Sequence, residues 1–252
     1  MTSEQELKHL EKRIRDRFVK AFATYKLISD DDHILAALSG GKDSLCMLEM
    51  LAKRARIAHP RFTVDAIHVR MENIAYETST SYLEQFCQQL GVTLHVVTTR
   101  FDDVPTQELP HHKPKPPCFL CSWNRRKQMF NLAQQLGCNK IALGHHQDDL
   151  LHTALMNILF QGRFGTMPAL LQMRKMPLAI IRPLCMVEET DIKRYAELRG
   201  YEKQVKLCPF EHDTQRTNTR HLFEEVEKMN PETRYSLWNA LVRDHKLVEW
   251  AD

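Results

Sequence analysis

His33-Ile34-Leu35-Ala36-Ala37-Leu38-Ser39-Gly40-Gly41-Lys42-Asp43-Ser44 is the stretch that decides the fold. An apolar run, Ile34 to Leu38, has the composition of a buried strand. Two adjacent glycines follow, then Lys42, Asp43 and Ser44 opening a helix. Glycines let a backbone turn sharply and come close to an anion. A helix N-terminus adds unpaired N–H groups and the positive end of a dipole. Lys42 contributes a full charge, and Asp43 is placed to help hold a cation. The pattern is a device for holding polyphosphate. It differs from the Walker loop, which needs four residues between its glycines and a Gly-Lys-Ser/Thr ending. A tight strand-to-helix turn alone has no use for the Lys-Asp-Ser that follows.

The segment resembles the SGGxDS signature of the PP-loop ATP pyrophosphatases. Those enzymes cleave ATP between the α and β phosphates and adenylate a substrate. The resemblance implies ATP as cofactor, with Ser39, Gly40, Gly41, Lys42, Asp43 and Ser44 around its phosphates and Mg2+ near Asp43.

Outward from this loop the chain alternates strands and helices. Strands are expected over 33–38, 62–69, 92–98, 140–143 and near 178–181. Helices are expected from the glycine loop to about 57 and over 79–90, 120–136, 148–160 and 188–199. Such alternation gives βαβ units, hence an α/β fold with a doubly wound parallel sheet, Rossmann-like. Ligands in such sheets sit beyond the carboxyl ends of the strands. The glycine loop, His68 and Gly144-His145-His146 all fall at such ends. Residues 1–30 read as a basic amphipathic helix, with Leu7, Leu10, Ile14, Phe18, Ala21, Phe22 and Tyr25 along one side. Residues 31–200 form the nucleotide-binding domain, and 201–252 a helical extension. The Pro- and His-rich stretch 101–117 reads as an exposed loop.

The 252 residues suffice for one large domain. A hydrophobic content of 43% and a charged content of 27% are those of an ordinary soluble globular protein. The net charge of +3 permits a nucleic-acid partner without demanding one. No apolar stretch approaches a membrane span. Met1 to Glu6 is polar and acidic, unlike a signal peptide. The seven cysteines are an odd, unevenly spaced set. A reducing cytoplasm is therefore expected.

Cys118-Phe119-Leu120-Cys121 is a C-x-x-C at a loop-to-helix junction, and Cys208 lies far along the chain before Pro209. Cys46, Cys87, Cys138 and Cys185 have the surroundings of small core residues. The C-x-x-C fits a dithiol redox pair. It also fits a Zn2+ site completed by Cys208 and His212, or an iron–sulfur cluster on three thiolates. Spacing leaves these open.

The loop, the C-x-x-C-x3-Arg, Gly144-His145-His146-Gln147-Asp148-Asp149 and Ile181-Arg182-Pro183-Leu184 together resemble the tRNA 2-thiocytidine synthetase family. The resemblance runs over nearly the whole chain, through Leu207-Cys208. It implies ATP-dependent thiolation of tRNA, most specifically at cytidine 32. It also implies a [4Fe–4S] cluster on Cys118, Cys121 and Cys208, a sulfur donor such as a cysteine desulfurase, and a homodimer. Gly144, Asp149 and Arg125 match the family's nucleotide or activated-base contacts, and His68 stands where adenine would lie. One departure is Glu211, at a position where the family often has a second cysteine. For Asp148 a helix-capping role is expected, and for His145 and His146 packing beneath the nucleotide. Lys113, Lys115, Arg125, Arg126, Lys127 and Arg163 are candidate RNA contacts, with Gly162-Arg163-Phe164-Gly165 a basic aromatic turn. Other PP-loop enzymes, lysidine synthetase among them, and a nucleotide- or metal-sensing protein without chemistry are the rivals.

Overall fold

The computed structural model describes residues 2–72, 79–100, 117–202 and 214–251. The stretch 101–116, and with it Lys113 and Lys115, lies outside them, as do Cys208, Glu211 and His212.

The chain begins with helix α1 (Ser3–Tyr25), started by a Thr2–Gln5 capping box. Strand β1 (Asp32–Ala37) feeds α2 (Lys42–Ala55), and β2 (Phe62–Met71) feeds α3 (Thr80–Leu90). Then come β3 (Thr93–Thr99), α4 (Pro117–Leu136), β4 (Lys140–Ala142) and α5 (Gln147–Gln161). Strands β5 (Leu170–Met173) and β6 (Ala179–Ile181) precede α6 (Glu189–Arg199). Helices α7 (Thr214–Met229) and α8 (Thr233–Arg243) lead to β7 (Val248–Ala251).

The seven strands make one sheet in the order β3-β2-β1-β4-β6-β5-β7. From β3 to β6 neighbours are parallel; β5 runs antiparallel to β6 and parallel to β7. The expected doubly wound sheet is present. Strands β5 and β7 were not expected from the sequence. Each is four residues long, and β7 closes a segment read as helical throughout.

Side chains on β1 alternate between two cores, as the pleat requires. Ile34 and Ala36 join the larger one, with α1, α2, α3, α5 and α6. Leu35 joins a smaller one beneath α4, with Ile67, Val69, Met71, Ala133 and Ile141. The apolar face of α1 is spent inside the chain, with Ile14, Phe18 and Ala21 at most 1% exposed. Part of its basic face pairs with the start of α6: Arg17 reaches Glu188 at 2.7 Å, and Arg13 binds Asp191. Among the described residues no helix is long and apolar enough to cross a membrane.

The order of strand addition reverses between the parallel neighbours β1 and β4. After β1 the chain winds outward through β2 and β3; after β4 it winds the other way to β6. Two loops leave that switch point side by side, and ligands of such sheets bind there.

Candidate functional site at the sheet switch point

The loop after β1 is tied by its own hydroxyls. Ser44 Oγ donates to the Gly41 carbonyl at 2.9 Å and accepts from the Ser39 amide at 3.2 Å. The Gly41 amide leans on Ser39 Oγ at 3.4 Å. Gly40 has φ 85°, a conformation open to glycine and costly for other residues. Gly41 caps α2 without a side-chain acceptor, so the first amides of the helix remain available to an anion.

Lys42 Nζ is held by two carboxylates, Asp43 Oδ1 at 3.0 Å and Glu189 Oε1 at 3.0 Å. Burial opposes its charge, but these carboxylates outweigh it and raise its pKa. Glu189 also meets Arg220 of α7 at 3.1 Å. The lysine that would meet phosphate thus lies at the end of a chain of alternating charges reaching the C-terminal helices.

The second loop, Gly144-His145-His146, packs directly on the first. A Cβ on Gly144 would stand 3.0 Å from the Ser44 amide nitrogen and 3.1 Å from the Asp43 carbonyl carbon. Only the missing side chain lets the two backbones meet so closely. The His146 amide donates to Asp149 Oδ2 at 3.0 Å. Burial disfavours a charged His146, yet Asp148, Asp149 and Asp43 hold its pKa above the usual histidine range. Asp148 Oδ2 accepts from the Glu189 amide at 2.7 Å, and Arg234 meets Oδ1 at 2.8 Å. Burial works against the ionised Asp148, but His146 and Arg234 prevail and hold its pKa well below the carboxylate range. Asp148 stands in the first turn of α5, but the expected capping role falls elsewhere: His146 is the N-cap and Asp149 accepts its amide. Asp148 is instead a brace between α5, α6 and α8.

His145 takes the opposite state. Burial and the positive charge of Arg182 push its pKa down to about 3, so the ring is neutral. His68 is 2% exposed and its Nδ1–H donates to the Leu38 carbonyl at 2.7 Å. It thus straps β2 to the chain just before the glycine loop. Burial lowers its pKa, and the charge of Arg125 adds to that.

Helix α4 ends where Asn139 meets the start of β1, its amide donating to the His33 carbonyl at 3.0 Å. Its first turn therefore sits at the opposite, carboxyl edge of the sheet, with Leu120 and Cys121 against the core that holds Val69 and Met71. Cys118 lies in that first turn, but only its backbone is described. Residues three apart on a helix share a face. Arg125 is one turn further along, Arg126 and Lys127 follow, and Lys127 sits over the ring of Trp123 at 5.4 Å. Arg163 is on the loop after α5. So Ser39, Gly40, Gly41, Lys42, Asp43, Ser44, Gly144 and Asp149 converge, His68 lies beneath them, and Cys121 and Arg125 share their sheet edge. Among the described residues no three metal-binding side chains meet.

Glu189, Arg220 and Arg234 were missed from sequence. They stand 147, 178 and 86 positions from Lys42, Lys42 and Asp148, and nothing local marks them.

A sequence profile of the PP-loop domain matches residues 7–207. A tRNA-cytidine(32) 2-sulfurtransferase of Marinobacter nauticus is 32% identical over 94% of this chain and 77% of its own. The chain belongs to this PP-loop family. The Burkholderia multivorans member is 34% identical over 91% of this chain and 69% of its own. One from Francisella tularensis subsp. novicida is 31% identical over 95% and 89%. Among solved structures, the U34-tRNA thiolase NcsA of Methanococcus maripaludis, with its [4Fe–4S] cluster, superposes with a TM-score of 0.72. It is 23% identical and covers 94% of this chain and 79% of its own. That likeness establishes the PP-loop fold.

Proposed function

We propose that the protein is an ATP-dependent tRNA sulfurtransferase that replaces the C2 oxygen of a pyrimidine by sulfur, the pyrimidine being cytidine 32. The observation that carries this is the switch point. There a phosphate-binding loop and the Gly144–Asp149 loop meet at backbone contact, with a C-x-x-C helix at the same sheet edge.

A C2 carbonyl oxygen leaves poorly. Attack of that oxygen on the α-phosphate of ATP releases pyrophosphate and leaves the oxygen esterified to AMP. Sulfide then bonds to C2 and AMP departs with the oxygen. The Gly41 turn and the first amides of α2 would hold the pyrophosphate, with Lys42 neutralising its growing charge. Asp43 would hold Mg2+. His68 would keep the loop in place beneath the nucleotide, and Gly144, Asp149 and Arg125 would border the adenylated base.

The donor set fits an iron–sulfur cluster: two cysteines one helical turn apart, Cys121 half-buried, at the edge where the base would lie. Cys118, Cys121 and Cys208 would hold it. When bound, such a cluster supplies a nucleophilic sulfur with no net redox change at carbon. A cysteine desulfurase or similar donor and a cytoplasmic location belong to the same reading. A homodimer would use a surface other than the apolar face of α1, which is buried within the chain.

Three measurements test this. Protein purified without oxygen should be brown, with broad visible absorption; a colourless protein with stoichiometric zinc would replace the cluster by Zn2+. AMP formation should require tRNA, and deletion of the gene should remove 2-thiocytidine from cellular tRNA. Unchanged 2-thiocytidine would overturn the assignment.

A further inference from the structure

His145 and Arg182 form a pair that the reaction as described leaves without a task. Arg182 follows β6 and is 6% exposed. Its guanidinium donates to two neutral acceptors, the Pro168 carbonyl through Nη1 and His145 Nδ1 through Nε at 3.3 Å. A guanidinium has donors only. The nitrogen that faces it must therefore carry a lone pair, and the single proton of a neutral imidazole is left on Nε2. The tautomer of His145 is written by its neighbour.

His145 also lines a cavity of about 460 Å3 between α5 and α7. Across it stand Arg216, Thr217 and Arg220 of α7, with Asp149 and His152 on the α5 side. Asp149 is also part of the switch-point site, so the cavity opens beside the place where the adenylated base would lie. Guanidinium, hydroxyl and imidazole N–H groups around one space suit an oxygen-rich ligand.

We propose that Arg182 is a positioning residue that fixes His145 as an Nε2–H donor, and that His145 presents this donor to an oxygen of the RNA substrate seated in the α5–α7 cavity. The inference rests on the tRNA reading for the identity of the ligand, and on geometry alone for the tautomer.

Long-range 1H–15N spectra of histidine-labelled protein at pH 7 read the tautomer without substrate. His145, assigned by its loss in His145→Gln, should show an unprotonated Nδ1 and a protonated Nε2. An Nδ1–H ring in the unmodified protein would overturn the positioning role, whether or not tRNA is the substrate. Arg182→Met should give a mixed tautomer, and Arg182→Lys, still an obligate donor, should restore the single form. If Arg182→Met fails to fold, the spectrum of the unmodified protein still decides.

The donor is tested by tRNA-dependent AMP formation. A Gln amide reaches the Nε2 position, whereas an Asn amide reaches only Nδ1. His145→Gln should therefore keep kcat/KM at least tenfold above His145→Asn. A loss carried by the KM for tRNA assigns the oxygen to a phosphodiester, and a loss carried by kcat assigns it to the reacting carbonyl. Equal values for the two variants would remove the donor role. Absence of tRNA-dependent AMP in the unmodified protein would remove the tRNA reading while leaving the tautomer result standing.

Discussion

Gly144→Ala isolates the contact between the two loops of the site. The substitution adds one methyl group, and the backbone of Gly144 is not in the left-handed region, so no strain arises from its own dihedrals. The new carbon would stand 3.0 Å from the Ser44 nitrogen, 3.1 Å from the Asp43 carbonyl carbon and 3.1 Å from Ser44 Cα. Carbon atoms prefer about 3.5–4.0 Å, so the loops must part by a few tenths of an ångström at least. No flexible side chain can move aside, because all three neighbours are backbone atoms at the start of α2. Overpacking of this kind costs about 1–3 kcal/mol. At about 2–4 °C per kcal/mol for a chain of this size, the melting temperature should fall by roughly 2–12 °C. The larger effect is functional. The Ser44 amide belongs to the set that would face phosphate, and shifts approaching 1 Å at such positions cost about a hundredfold. Calorimetric titration with ATP, alongside a melting curve, should show affinity reduced by about tenfold or more in a folded protein. Affinity within twofold of the unmodified protein, with an unchanged melting temperature, would refute the reasoning that backbone contact shapes the phosphate site.

Three further outcomes follow from other parts of the molecule. Lys42→Ala removes a charged donor worth about 1.5–3 kcal/mol to phosphate, so ATP affinity should drop about 10- to 150-fold in the same titration. Glu49 is 0% exposed and carries Lys53 at 2.8 Å, Arg199 at 2.7 Å and the hydroxyls of Tyr195 and Tyr201. Burial raises its pKa, but Lys53, Tyr201 and Arg199 prevail and hold it below the ordinary glutamate value of 4.5. Its contribution is then present above pH 4.5 and lost as pH falls through the lower folded value. Glu49→Gln should cost about 3–5 kcal/mol in urea melts at pH 7, and less at pH 3; an equal cost at both would refute the ionised state. Trp123 is 51% exposed beside Lys127. Trp123→Ala should weaken tRNA binding by about 1–3 kcal/mol in a filter-binding assay if a base stacks there, with ATP affinity unmoved.

Much of the site was legible because its chemistry is local. Ser39 to Ser44 contains its own turn, helix start and charge, and Gly144 to Asp149 contains a strand exit and a helix start. The long strands announced themselves by apolar runs. Strands β5 and β7 did not, since four residues with half-exposed faces carry no clear period. Glu189 could be read only as the first turn of a helix. That it reaches Lys42 depends on α6 packing beside α2, a property of the sheet order rather than of either segment. Arg182 was visible within Ile181-Arg182-Pro183-Leu184, but burial of a guanidinium against a histidine is a tertiary fact. Part of the basic face of α1 is explained by Glu188 and Asp191, which pair with Arg17 and Arg13.

The chain on either side of Cys208 is anchored. Upstream, the Glu202 amide donates to the Tyr82 hydroxyl at 3.3 Å; downstream, α7 is tied by Arg220 to Glu189 and, through α8, runs on into the sheet at β7. Five residues separate Cys208 from each of Glu202 and Thr214, and an extended chain spans at most about 3.6 Å per residue. Under the cluster reading, Cys208 would be an intramolecular partner for the C-x-x-C helix, at an effective concentration set by chain length rather than by diffusion.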